Sequence, residues 1–217
     1  MATFNALVPP TEVVGKPMYK DRFLEYRWLE ADVQVITNNK EWTYHSSRGV
    51  GFLNDGVVVI PYFKREEIWY VCLVEQYRIA IDSQTLEMVG GIANDDPNIL
   101  SCGSAIQAQR AMARELQEEM GIDVDYREID IVLTEHFSNS FSQAMYIGGL
   151  IEIQEYQTPK IDGVYGEFEH GEYTVAVVRD FLSVLYEKDA LPGHFDLITS
   201  RMLTELAIKT GYLTKNY

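Results

Sequence analysis

The stretch Arg114-Glu115-Leu116-Gln117-Glu118-Glu119-Met120-Gly121-Ile122 holds the residue types best suited to chemistry in this chain. Glu115 lies three positions before Glu118 and four before Glu119, spacings that stack side chains on one face of a helix. Three crowded carboxylates repel one another, and near a helix C-terminus the macrodipole adds to the cost. Hard cations such as Mg2+ take clustered carboxylate oxygens together with water and phosphate oxygens. The arrangement therefore points to metal-assisted chemistry on a phosphate compound. Arg114 is placed to hold one carboxylate by a charge-assisted hydrogen bond. Gly91, upstream, would let backbone approach the same metal. Taken alone, the string also reads as a solvated acidic helix face.

The rest of the composition agrees with that chemistry. Eighteen Lys and Arg stand against 33 Asp and Glu, for a net charge of −15. Such a surface repels nucleic-acid backbones and anionic membranes, so neither is an expected partner. A phosphate substrate would need a local cation to offset the repulsion. The 217 residues are enough for a substantial core without staples. Cys72 and Cys102 form no disulfide framework, and the four histidines show no ligand spacing. No apolar run approaches the ~18 residues of a membrane span, and the first thirty residues carry charge throughout. The expected location is the cytoplasm.

The elements that must position these residues are legible in part. Residues 1–17 contain Pro9, Pro10 and Pro17 and read as an irregular lead-in. Arg22–Thr37 and Glu41–His45 flank Asn38-Asn39 as a hairpin. Asp55-Gly56 is a turn signal ahead of a strand at Val57–Ile60, and Ile68–Tyr77 reads as a buried strand. Gly90-Gly91 reads as a break, and Ala93–Gly103 as a polar loop. Ala105–Met120 lacks Gly and Pro, is rich in helix formers, and meets Gly121 as its stop. Strands follow at Ile129–Phe137, Ala144–Ile153 and Tyr173–Val178, the last preceded by an acidic loop over Gln157–Gly171. Helices at about Arg179–Lys188 and Phe195–Thr210 close the chain. The expectation is an α/β fold with an N-terminal arm over 1–48 and a main domain over 49–217.

The string R-E-apolar-x-E-E-x-G-apolar at Arg114–Ile122 resembles the second half of the Nudix box, the signature of the Nudix hydrolases. Val74-Glu75-Gln76-Tyr77-Arg78, followed by Leu86-Glu87-Met88-Val89-Gly90-Gly91, resembles the pattern of ADP-ribose and ADP-sugar pyrophosphatases. The resemblance implies a Nudix-type α/β/α sandwich around a mixed sheet, with a β-rich N-terminal arm. The box departs from the family in its first half. Gly91 stands 23 positions before Arg114, so the loop within Ala93–Gly103 carries an insertion, and Ile106 takes the place of the first box Glu. Asn139 stands where the family has Pro in a Ser-Pro-Gly turn, and Gln143 where a Glu follows it.

By resemblance, Glu115, Glu118 and Glu119 with the Gly90 carbonyl would hold Mg2+, with Mn2+ as an alternative. Arg78, Glu87 and Trp28 would contact substrate. The general base would come from the acidic loop, at Glu169 with Glu167 and Glu172 as neighbours. Together with Glu115 and Glu118, Glu169 makes up the expected catalytic set. The implied reaction is hydrolysis of a nucleoside diphosphate linked to a sugar, with ADP-ribose, giving AMP and ribose 5-phosphate, as the default. The implied assembly is a homodimer. Two alternatives stay open: a nucleotide-sugar binding or regulatory module, and a hydrolase of another dinucleotide-like diphosphate.

Overall fold

The computed structural model of the chain describes residues 3–6, 11–12, 19–20, 24–36, 41–78, 83–94, 102–136, 144–160, 164–165, 174–190 and 197–214. The chain divides into two compact units. One comprises 1–54 with 96–101 and 136–145; the other comprises 55–95, 102–135 and 146–217.

The first unit holds a five-stranded antiparallel sheet. Its strands are β1 (Thr3–Ala6), β2 (Thr11–Glu12), β3 (Tyr19–Lys20), β4 (Leu24–Ile36) and β5 (Glu41–Leu53). β4 and β5 form a long hairpin, in register from Ile36↔Glu41 to Leu24↔Leu53, as the Asn pair between them foretells. The other strands all pair with β4. The lead-in over 1–17 is therefore not irregular throughout. β1 and β2 take their ladder bonds from a strand distant in sequence, which local proline content does not forbid.

The second unit is built on β6 (Gly56–Arg65), buried at every position from Val57 to Phe63. A strand buried on both faces reads as a continuous apolar run. Around it come β7 (Ile68–Arg78), β8 (Ser83–Glu87), β9 (Val89–Ile92), β10 (Asp130–His136), β11 (Met145–Glu152), β12 (Val164–Tyr165) and β13 (Thr174–Asp180). The order is β10-β11-β6-β7-β13-β12, with β9 also on β6 and β8 also on β7. β11 runs parallel to β6, and the pairs β6–β7 and β7–β13 are antiparallel, so the sheet is mixed. The β6–β7 turn places Glu66 and Glu67 at φ 47° and 68°. That is left-handed backbone usually given to Asn-Gly, so this hairpin lacked its sequence cue.

Helices α1 (Ala105–Met120), α2 (Phe181–Ala190) and α3 (Leu197–Lys209) complete the unit. The alternation of the strands assigns them to two layers. Val57, Val59, Phe63, Cys72 and Val74 pack with Ala108, Met112, Leu116 and Met120 of α1. Val58, Ile60, Tyr62, Val71 and Leu73 pack with Phe181 and Val184 of α2 and Met202, Leu203 and Leu206 of α3. This is the expected α/β/α sandwich. Cys72 is a core residue as expected, and burial pushes its thiol up to about 12. Among the described residues, no helix is long and apolar enough to cross a membrane.

Candidate functional site

Helix α1 is delimited by its own sequence. Ser104 caps it, its side chain accepting from the Gln107 N–H at 3.2 Å. Gly121 ends it at φ 67°, ψ 21°, the left-handed stop that a side chain would strain. The Gly121 N–H donates to the Gln117 carbonyl, and the Ile122 N–H reaches back to the Leu116 carbonyl at 3.1 Å. The buried stripe runs Ala108, Ala111, Met112, Glu115, Leu116, Met120. Five of these six are apolar; the sixth is a carboxylate.

Glu115 is only 7% exposed. It survives there because two features accommodate it. Arg114 Nη2 lies 2.9 Å from Glu115 Oε1. The same guanidinium reaches Glu118 Oε2 at 3.0 Å and donates to the Ile92 carbonyl at 3.1 Å. One planar cation thus ties two carboxylates of α1 to β9, a task suited to the forked geometry of arginine. The second feature is Gly91. In the β6–β9 register Gly91 opposes Val57, whose side chain faces α1, so Gly91 faces α1 too. A Cβ on Gly91 would fall directly on the Glu115 carboxylate. The expected break at Gly90-Gly91 is instead strand: both residues continue β9. The glycine serves close approach between a carboxylate and backbone, not chain reversal.

Of the other two acids, Glu118 is exposed and Glu119 half-buried. The Glu119 carbonyl accepts from the buried Thr174 hydroxyl at 3.5 Å, which links the end of α1 to β13. Two carboxylates, Glu115 and Glu118, share the Arg114 guanidinium, and Glu119 follows on the same helical turn. Carboxylate oxygens are hard donors of the kind that suit a divalent cation such as Mg2+. Among the described residues, no three His, Cys, Asp or Glu side chains converge as a ready-made cage. A Mg2+ site does not require one, since that ion keeps several waters and is held by one or two carboxylates plus phosphate oxygens.

The remaining expected residues are distributed as follows. Glu87 pairs with Val74, so it faces the layer covered by α1; it is buried and accepts from the Thr85 hydroxyl. Gly90 pairs with Val58 and faces the opposite layer. Arg78 ends β7 opposite Ser83, and Trp28 stands opposite Gly49 in the first unit; their side chains lie outside the described residues. Glu167, Glu169 and Glu172 lie outside the described residues, as do Asn139 and Gln143.

Two residues were not singled out from the sequence. Asp55, read only as a turn signal, is buried and fixes both ends of the inserted segment. Its carbonyl accepts from the Ala93 N–H at 2.8 Å, and its Oδ2 from the Cys102 N–H at 2.7 Å. Arg110, one turn before Arg114, stacks its guanidinium 5.0 Å from the Tyr126 ring centroid. Its i, i+4 relation to Arg114 was the available signal.

No protein-family model matches the chain, and no curated protein matches it. Solved structures do match. One, described as the crystal structure of an ADP compounds hydrolase, aligns with a TM-score of 0.59 over 96% of this chain and 100% of its own. Its sequence identity is 15%, so the likeness is one of fold.

Proposed function

We propose that the chain hydrolyses the pyrophosphate bond of a nucleoside diphosphate linked to a sugar, with Mg2+ (or Mn2+) held by Glu115, Glu118, Glu119 and the Gly90 carbonyl. ADP-ribose, yielding AMP and ribose 5-phosphate, is the default substrate. The observation that carries this reading is the seat of Glu115: a carboxylate on the buried stripe of a helix, pressed against glycine backbone and flanked by two further acids. The glycine beneath it leaves room for the carboxylate that any side chain at 91 would remove. The fold shared with a protein described as an ADP compounds hydrolase supports the same reading.

When bound, the metal would neutralise charge developing on the diphosphate oxygens and acidify a water. Arg114 orients Glu115 and Glu118 and keeps α1 registered on β9. In the overall reaction, water adds across one P–O–P bond. Its oxygen ends on one phosphorus, and the bridging oxygen leaves with the other phosphoryl group. The proton lost by water passes to a carboxylate, which we assign to Glu169. Arg78, Glu87 and Trp28 remain our assignments for substrate contact. We further assign residues 1–48 to an arm that contributes to a homodimer, and the site of action to the cytoplasm.

The test is release of AMP and ribose 5-phosphate from ADP-ribose with Mg2+, resolved by anion-exchange chromatography. Turnover that disappears on chelation is expected. Failure to cleave any diphosphate-linked nucleoside, beside an active control enzyme, would defeat the proposal. Tight ADP-ribose binding by calorimetry without products would instead favour the binding module. The substitution at Ile106, which is 54% exposed where the family signature has Glu, is the observation on that side.

A further inference from the structure

A cavity of about 540 Å³ lies along the N-terminal half of α1, within the volume range of small-molecule sites. Its lining includes Ala93, Ser104, Ile106, Gln107, Arg110 and Arg114. No Asp or Glu lines it among the described residues, although acids outnumber bases by fifteen in the chain. Among the described residues, each polar side chain on its wall can donate a hydrogen bond. The Ser104 oxygen accepts from the Gln107 N–H, which leaves its O–H as a donor. The Gln107 Oε1 accepts from the Gly103 N–H at 3.0 Å, which turns its amide NH2 outward. Arg114 is committed to Glu115, Glu118 and the Ile92 carbonyl. Arg110 differs: it is exposed, and its described contact is the Tyr126 ring. A guanidinium held against a ring by cation–π attraction still has N–H groups to donate to an anion.

Like charges at i, i+4 destabilise a helix unless something anionic lies between them or nearby. For Arg114 that need is met by Glu115 and Glu118. The geometry points to Arg110, with Ser104 and Gln107, as an anion subsite that receives a phosphoryl group of the substrate beyond the scissile diphosphate. Arg110 precedes Arg114 by one turn on the same helix face, about 6 Å along the axis, and Arg114 holds Glu115 and Glu118. That span suits a phosphomonoester on a sugar next to the diphosphate. The exposed side chain of Ile106 supplies an apolar wall beside it. This explains why an isoleucine is tolerated in place of an acid: a carboxylate at 106 would sit one turn from Arg110 and compete with the ligand. The assignment to substrate rests on the hydrolase reading above; the anion site itself does not.

The test has two arms. Inorganic phosphate is titrated into the full chain without Mg2+ and followed by 31P NMR. Saturable binding is expected, weakened about tenfold or more in Arg110→Gln. It should be unchanged in Arg127→Gln, an exposed arginine paired with Asp125 outside the cavity. Circular dichroism confirms that both variants are folded. In the second arm, kcat/KM is compared for ADP-ribose and ADP-ribose 2′-phosphate. The wild type is expected to prefer the phosphorylated compound about tenfold, and Arg110→Gln to abolish the preference. No saturable phosphate binding, or equal binding by Arg110→Gln, overturns the subsite. Phosphate binding lost in Arg110→Gln alongside equal kcat/KM for the two compounds in the wild type overturns the assignment to substrate. No turnover of either compound removes the hydrolase reading and that assignment with it, while the phosphate arm alone decides whether Arg110 holds an anion.

Discussion

Glu115 of α1 and Glu205 of α3 occupy matching situations on opposite faces of the same sheet. Their exposures are 7% and 8%, and each has an arginine Nη2 at 2.9 Å from a carboxylate oxygen. The partners differ in origin. Arg201 lies four residues before Glu205, a spacing that puts both on one helix face, and it continues to Glu135 at 3.5 Å. Arg114 is adjacent to Glu115 in sequence, so it does not share its face and must swing across, where the Ile92 carbonyl catches it. The backbone differs more. Glu115 rests on Gly91 and is followed on its helical turn by Glu118 and Glu119, whereas Glu205 has Arg201 as its described partner and no glycine seat is described for it. Burial and an arginine partner therefore do not identify chemistry. What sets Glu115 apart is the glycine seat and the two further acids on its helical turn, and on these the proposed chemistry rests.

That contrast can be broken by experiment. The largest effect is expected for Glu115→Gln, which should lower kcat for ADP-ribose hydrolysis on the order of 10³-fold with the fold retained. Glu205→Gln should leave kcat within about twofold and lower unfolding free energy by about 1 kcal/mol in urea titration. Equal activity losses in the two variants would erase the distinction. Next comes Gly91→Ala. The added methyl group must displace the Glu115 carboxylate, and a shift of about 1 Å at such a group costs about 100-fold in turnover. Undiminished turnover would show that Glu115 needs no seat.

Smaller effects sharpen the comparison. Arg114→Lys keeps the charge but cannot span Glu115, Glu118 and the Ile92 carbonyl together, so turnover should fall about 10-fold to 100-fold. Arg201→Lys should affect stability alone, by less than about 1 kcal/mol. The smallest effect concerns metal linkage. Mg2+ at ten times its Kd should add about 1.4 kcal/mol to the stability of the wild type. The increment should vanish in Glu115→Gln and persist in Glu205→Gln. Thermal shift assays of the three proteins report it.

What was legible in the sequence follows from what each feature depends on. The bounds of α1 were, because the run of strong helix formers free of Gly and Pro and the stop at Gly121 are local signals; the cap at Ser104 was found only in the structure. β6 and β7 were, because burial on both faces leaves a continuous apolar run. The placing of Glu115, Glu118 and Glu119 on one helix was, because the helix formers around them are local signals. The Glu66-Glu67 turn was not, because two glutamates in left-handed backbone carry no turn chemistry. β1 and β2 were not, because their pairing comes from β4, distant in sequence. Gly90-Gly91 looked like a break because the reason for glycine at 91 is a side chain 24 residues further on. The same applies to Asp55, whose partners are the two ends of the insertion.

The most direct measurement is a crystal of the protein grown with Mn2+ and a non-hydrolysable ADP-ribose analogue, with anomalous diffraction recorded above the manganese edge. The account predicts a peak bonded to a Glu115 or Glu119 carboxylate oxygen at about 2.1 Å, with analogue diphosphate oxygens completing its shell. Density for the analogue with no manganese on α1, or manganese bound only at other acids, would contradict it.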